Sequence, residues 1–393
     1  MAYGEWVDEK RVVEVLRDLV QIPSVNPDFT GGNGEREISD YIKQFFDRLH
    51  IPYIVQLVEK NRENVIGILE GASEKHLLLE AHMDTVQVKG MTIDPFDGKI
   101  ADGRLFGRGS CDTKSSLAAM LSAVESIKKK EAIPPVSVHL AAVVDEETTY
   151  KGVSFLADDI FHGKLRYDTA IIGEPTNLDI IVAHKGVIRF CVEIQGQAAH
   201  TSSPEKGVNA IENMALVIQH LKKLIVHKRG QLNHPLAGGP TLSITMIEGG
   251  VAPNTVPDSC KITIDRRTIP GEDAQEVWEE IKYSLKTIEN DNPCLKLIVY
   301  EPFVIDYSME SSPGDPFVTG LLKSVAKYKP NSRITGAPYC SDASKLTRVG
   351  VPAVVFGPGN INQAHTKDEW VDLQQVFDST KILIDTIMEF KVD

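Results

Sequence analysis

Five places in this sequence put metal-type ligands at or just after an apolar run. The stretch Leu77-Leu78-Leu79-Glu80-Ala81-His82-Met83-Asp84-Thr85 is the first. Its apolar half reads as a buried strand. Side chains alternate across a strand, so His82 and Asp84 share a face at its exit. A metal-binding imidazole and its orienting carboxylate are usually arranged this way. Asp112 lies in Gly107-Arg108-Gly109-Ser110-Cys111-Asp112-Thr113-Lys114, just before a helical pattern. Glu146 and Glu147 follow Val143-Val144-Asp145, and Glu174 follows Ala170-Ile171-Ile172-Gly173. His365 sits in Asn362-Gln363-Ala364-His365-Thr366, beyond Phe356-Gly357-Pro358-Gly359. Each has an ordinary reading when taken singly. The two glutamates suit a solvated acidic corner, Glu174 before Pro175 a turn, and His365 a helix cap. Jointly, two imidazoles and three carboxylates with one more to spare fit a two-metal site. Zn²⁺ accepts both N and O ligands, and a carboxylate bridges two such ions about 3.5–4 Å apart.

The elements that must position these residues follow from periodicity. Val12, Val13, Leu16, Leu19 and Val20 predict an amphipathic helix ending before Pro23, and Ile38 to Leu49 a second. Extended runs follow at 53–58, 64–69 and 77–81. The segment 89–108, rich in Gly, Asp and Pro, reads as loop with a short hairpin. Helices are expected at about 115–130 and 153–161, and strands at 136–144 and 168–173. Strand alternating with helix argues for an α/β fold with a mostly parallel, doubly wound sheet. In open α/β sheets, sites form beyond the carboxyl ends of the strands, where these five places are expected to converge. From about Val187 the order becomes β-α-β-β-α-β, a ferredoxin-like α+β pattern. The expected organisation is a first domain over 1–186 and 303–393, with a domain over 187–302 inserted into it.

Composition narrows the function classes. The 393 residues carry a net charge of −13, which argues against nucleic acid or an anionic membrane as the main partner. Cys111, Cys191, Cys260, Cys294 and Cys340 are scattered with no CxxC pair, which suits a reducing compartment. The first residues show neither a basic region nor an apolar core, and no uncharged run is long enough to span a bilayer. A cytoplasmic location is expected.

These motifs resemble the zinc-dependent deacylase and exopeptidase family of acetylornithine deacetylase, succinyl-diaminopimelate desuccinylase, aminoacylase and glutamate carboxypeptidase. The resemblance runs from about Leu16 to Val371. Besides the segments above, it rests on Ala199-His200, Gly249-Gly250-Val251-Ala252-Pro253-Asn254, Asp265-Arg266-Arg267 and Pro270-Gly271-Glu272. It implies that His82 and Glu174 bind one zinc, that Glu147 and His365 bind the other, and that Asp112 bridges them. Asp84 orients His82, and Glu146 is the general base. The inserted domain is then a lid and homodimerisation domain. Its His200 and Asn254 help hold the substrate, and His200 reaches the partner's site. Arg267 binds a substrate carboxylate, with Arg266 the competing choice. A cis peptide after Asp112 is also implied. Ser115, where the family commonly has glycine, and the loop Tyr339-Cys340-Ser341-Asp342-Ala343 depart from the pattern and leave the subfamily open.

The implied reaction is removal of an acyl group from an N-acyl amino acid, with two Zn²⁺ as cofactors; Co²⁺ or Mn²⁺ also suit the donors. A dipeptidase or carboxypeptidase acting on a short peptide cleaves the same bond beside a free carboxylate, and the shared motifs do not separate them. A non-catalytic binding relative would have lost ligands or the base, and every such position is filled. Gly107-Arg108-Gly109 with Thr113-Lys114-Ser115 lacks the P-loop spacing. Gly107 to Cys111 also lacks the nucleophile elbow of a serine hydrolase.

Overall fold

The computed structural model describes residues 3–391, in two compact units. The first comprises Met1–Val182, Ser311–Thr335 and Ser341–Asp393, and the second Ala183–Glu310 with Gly336–Cys340. In chain order the elements begin α1 (Glu9–Gln21), α2 (Arg36–Arg48), β1 (Tyr53–Glu59), β2 (Arg62–Leu69), β3 (His76–His82), β4 (Ile100–Ala101) and β5 (Arg104–Phe106). Next come α3 (Lys114–Lys129), β6 (Ser137–Val143), α4 (Lys151–Phe161), β7 (Thr169–Ile172) and β8 (Ile180–His184). The second unit holds β9 (Gly186–Gln195), β10 (Ala199–His200), α5 (Ala210–Gln231), β11 (Thr241–Gly249), β12 (Thr255–Val256), β13 (Ser259–Thr268), α6 (Ala274–Asp291), β14 (Leu297–Val299), β15 (Val304–Asp306) and β16 (Met309–Glu310). The chain ends with α7 (Pro316–Ala326), β17 (Ile334–Ala337), α8 (Ala343–Arg348), β18 (Ala353–Val355), β19 (Trp370–Asp372) and α9 (Leu373–Met388).

The main sheet of the first unit runs β1-β2-β6-β3-β7-β18-β8. Its centre is parallel: β3 pairs with β6 and β7, and β18 pairs with β7. The flanks β1, β2 and β8 are antiparallel. Leu77, Leu78 and Leu79 are consecutive and fully buried, so both faces of β3 are covered. A parallel sheet covered on both faces demands such a continuous apolar run. Asp8 caps α1 by accepting from the backbone N–H groups of Lys10 and Arg11. Helix α3 packs against α1, α9 and β3, and is buried from Lys114 through Glu125. Since β3, β6, β7 and β18 run the same way, their carboxyl ends open on one edge, and the loops that leave them meet there.

The second unit follows β9-α5-β11-β13-α6-β14, with strand order β11-β13-β9-β14. Burial alternates along β9 and β13, the period-2 pattern of a sheet covered on one face. Phe190 on β9 and Trp278 on α6 stack with ring centroids 4.9 Å apart at the core of that layer.

Several short strands were not apparent from periodicity: β8, β10, β12, β15, β16, β17 and β19. β8 follows a turn, Lys185 alone separates it from β9, and the expected strand began only at Val187. β17 is four residues long and contains Gly336.

Candidate metal centre

His82 is the last residue of β3, and Asp112 stands two residues before α3. The peptide between Asp112 and Thr113 is cis. Glu146 and Glu147 leave the end of β6, Glu174 leaves β7, and His365 lies in the long loop after β18. Two triads result, His82–Asp112–Glu174 and Asp112–Glu147–His365, with ligand atoms within 4.8 Å of one another in each. Asp112 belongs to both. Its Oδ1 is 3.1 Å from His82 Nε2, and its Oδ2 is 3.2 Å from His365 Nε2. Glu174 Oε1 lies 3.7 Å from His82 Nε2, and Glu147 Oε2 lies 3.2 Å from His365 Nε2. Glu146 is in neither triad.

Local backbone chemistry sets these positions. Gly109 has φ +82 in the loop before Asp112, where a Cβ would also come within 2.8 Å of Thr85 Cγ2. A Cβ on Gly173 would meet Ser116 at 2.7 Å, so only glycine lets the end of β7 approach α3 this closely. Across that contact the Thr113 hydroxyl donates to the Gly173 carbonyl at 2.6 Å, which ties the Asp112 and Glu174 loops together.

Asp84 does more than face His82. Its backbone carbonyl is the nearer partner of His82 Nδ1, at 2.9 Å, and its carboxylate lies 3.5 Å away. An Nδ1–H donor held there leaves the Nε2 lone pair aimed at the triad. The carboxylate accepts instead from successive amides: Glu146 N–H to Oδ1 and Glu147 N–H to Oδ2, both at 3.1 Å. Asn26 Nδ2 donates to Asp84 at 2.7 Å and to Asp145 at 2.9 Å. Arg62 then grips Asp145 at 2.9 Å and Glu35 at 2.5 Å. One buried network therefore fixes His82, Glu146 and Glu147 together.

Electrostatics describe a site that fits metal. Burial opposes charge on His82, but hydrogen bonds to Asp112 and Asp84 and the fields of Glu146 and Glu174 outweigh it and raise its pKa. For His365 the same contest, with Asp112 and Glu147 as partners, pushes the pKa up to about 11. Burial would raise Asp112, but hydrogen bonds to His365 and His82 hold it below the usual carboxylate range. Glu146 and Glu174 are pushed well up, first by burial and then by surrounding carboxylates. Two imidazoles cannot offset Asp84, Asp112, Glu146, Glu147 and Glu174 in one dry place. Unpaired buried charge costs several kcal/mol per ion. Divalent cations are the compensation this donor set suits, and their binding would displace the imidazole protons.

The remaining expected residues lie in the second unit. His200, on β10, is exposed, and its Nδ1 lies 2.8 Å from Ser202 Oγ. Asn254 is exposed beside it, since its carbonyl accepts from Thr201 N–H at 3.2 Å. Arg266 is buried and paired with Glu272 at 2.5 Å. Arg267 is more exposed and bonds Asp265 at 2.7 Å. Asn26, Arg62 and Glu369 support the centre but were not among the residues singled out from sequence. Only Glu369, four residues after His365, stood near a motif.

The sequence from 78 to 389 matches the model of peptidase family M20/M25/M40. The chain belongs to that family. Acetylornithine deacetylase of Proteus mirabilis (strain HI4320) is 30% identical over 386 residues, covering 96% of each chain. Acetylornithine deacetylase of Buchnera aphidicola (subsp. Acyrthosiphon pisum, strain 5A) is 30% identical over 387 residues, covering 96% of this chain and 97% of the relative. Among solved structures, aminopeptidase PepT from Bacillus cereus superposes with a TM-score of 0.78 at 21% identity, over 98% of this chain and 99% of that one. The Bacillus subtilis YXEP protein, described as a dinuclear metal-binding peptidase, gives 0.70 at 16% identity, over 97% and 98%. The protein is a metal-dependent hydrolase acting on amides. Its doubly wound fold is that of the M20 structures.

Proposed function

We propose that this chain is a dinuclear zinc amidohydrolase that removes an acyl group from an N-acyl amino acid, as acetylornithine deacetylases do. The observation that carries the reading is Asp112, whose two oxygens each face a separate histidine–carboxylate pair. His82 and Glu174 hold one ion, and Glu147 and His365 hold the other. Zinc supplies a Lewis acid for the amide carbonyl and lowers the pKa of the attacking water. Co²⁺ or Mn²⁺ would suit the same donors.

The chain's own residues do the rest. Glu146 accepts a proton as water adds to the carbonyl carbon. It returns that proton to the nitrogen as the C–N bond breaks, leaving a carboxylate and an amine. Its freedom from both triads and its fixed backbone N–H support that role. His200 donates to the developing oxyanion, and Asn254 lies next to it to hold the substrate. Arg267 binds the substrate carboxylate. Both arginines are paired with a carboxylate, and the buried Arg266 is the weaker choice because Arg267 is the more exposed. The second unit is a lid through which two copies pair, and each His200 serves the partner's site. In support, edge strand β11 exposes Met246 and Ile247, each at 58%. A cytoplasmic enzyme of small-molecule metabolism agrees with the net charge of −13. Among the described residues, no helix is long and apolar enough to cross a membrane.

The test is a hydrolysis screen of the zinc-loaded protein on N-acetyl and N-succinyl amino acids, their carboxamides and dipeptides. Acyl amino acids should be cleaved fastest, their carboxamides poorly, and a chelator should abolish both. Preference for dipeptides would move the protein to the peptidase branch. Equal rates on acids and carboxamides would remove Arg267 from its role.

A further inference from the structure

A buried carboxylate accepting from two successive backbone N–H groups, as Asp84 does, occurs a second time beside the centre. The Glu369 carboxylate is fully buried, and its Oε1 accepts from the successive N–H groups of Cys111, at 2.9 Å, and Asp112, at 3.0 Å. Its Oε2 is held by Arg108 Nη1 at 2.5 Å. The same guanidinium extends Nη2 to the carbonyl of Thr366 at 3.3 Å, one residue past His365. Gly107 N–H closes the ring on the Glu369 carbonyl at 3.0 Å. His365 itself sits at φ 59, a left-handed conformation that a non-glycine residue keeps only when its surroundings enforce it. Two loops some 250 residues apart in sequence, each with a ligand of the same triad, are thus clasped through one carboxylate and one guanidinium.

We infer that Glu369, gripped by Arg108, is a positioning residue for the metal centre: it orients the bridging carboxylate of Asp112 and fixes the loop bearing His365. The inference rests on the dinuclear reading above. Glu369 touches neither metal nor substrate. It acts by holding the Asp112 backbone, as Asp84 holds the backbone of Glu146 and Glu147. An ordinary loop-closing ion pair would need only the Arg108–Glu369 contact. Acceptance from the amide of a ligand residue is what distinguishes a positioning role. Partners that support metal ligands typically contribute 10–100-fold to metal affinity.

The test compares wild type with Glu369→Leu, which removes the acceptor of both backbone N–H groups, and with Glu369→Leu/Arg108→Met, which removes both charges together and leaves neither buried alone. Zn²⁺ affinity and stoichiometry are measured by competition with a chromophoric chelator. Hydrogen exchange is followed in peptides covering 108–114. Both variants should bind zinc about 10–100-fold more weakly, most of all at the site of Glu147 and His365, where both clasped loops supply ligands. Exchange at Cys111 and Asp112 should be faster, and kcat should fall at limiting zinc and recover in excess with KM little changed. Faster exchange with wild-type affinity for both ions would overturn the inference. So would unchanged exchange in a folded variant. Wild type binding fewer than two ions would sink the dinuclear reading, and the inference with it, a failure visible before any variant is made.

Discussion

Replacing Asp84 by asparagine removes one oxygen from a carboxylate that serves three N–H donors. Oδ2 accepts from Asn26 and Glu147, and Oδ1 from Glu146. The single oxygen of asparagine will settle at the Oδ2 position, where it keeps two donors. The new NH₂ then faces the Glu146 amide and the His82 imidazole. One buried donor left unsatisfied costs about 1–3 kcal/mol. His82 Nδ1 keeps the Asp84 backbone carbonyl at 2.9 Å, so the lost carboxylate charge beside it should cost no more than the about 10–100-fold in metal affinity that a whole outer partner contributes. Asp84→Asn should therefore stay folded with a midpoint a few degrees lower. Zinc should weaken at the His82 site more than at the His365 site, and kcat at saturating zinc should fall because the Glu146 backbone is released. The assay is a chelator-competition titration in parallel with kcat measured at fixed, saturating free zinc. Wild-type affinity for both ions together with wild-type kcat would refute the reasoning, because the Asp84 carboxylate is the acceptor that the Glu146 amide has among the described residues.

Other consequences are as direct. Glu146→Gln keeps the shape but takes up no proton at neutral pH. It should lose about 10²–10⁴ in kcat with both metals retained, and loss of metal instead would make Glu146 a ligand. His200→Ala should keep its metals yet lose most of its kcat, and mixing it with Glu146→Gln subunits should recover activity through hybrid dimers. No recovery after confirmed subunit exchange would place His200 in cis or outside the reaction. His139 is pushed down to about 4, by burial and then by His76. It therefore binds fewer protons folded than unfolded. Its contribution to stability is intact above about pH 6.5 and is lost as pH falls through 4, by at most about 3 kcal/mol. In chelator, the stability gap between wild type and His139→Gln should narrow over that window; parallel pH curves would contradict the assignment.

What could be read from the sequence was what is local in the chain. The apolar run at Leu77–Leu79 announces a covered strand, and the ligand types at the ends of β3, β6 and β7 announce a site at one edge. Elements hidden from periodicity were those too short or too closely joined to show it, such as β8 abutting β9. The supporting residues were hidden for another reason. Nothing around Arg62 says that it holds Asp145, or that Asn26 spans Asp84 and Asp145. Glu369 pairs with a loop 257 residues earlier through backbone N–H groups that carry no side-chain signal. Ligands repeat recognisable residue types, whereas the groups that hold them are fixed only by the folded chain.

The most direct test is a crystal of the zinc-soaked protein measured at the zinc absorption edge. Two anomalous peaks about 3.5–4 Å apart should flank the Asp112 carboxylate, one beside His82 and Glu174 and one beside Glu147 and His365. A single peak at full zinc occupancy, or two peaks that Asp112 does not bridge, would contradict the account.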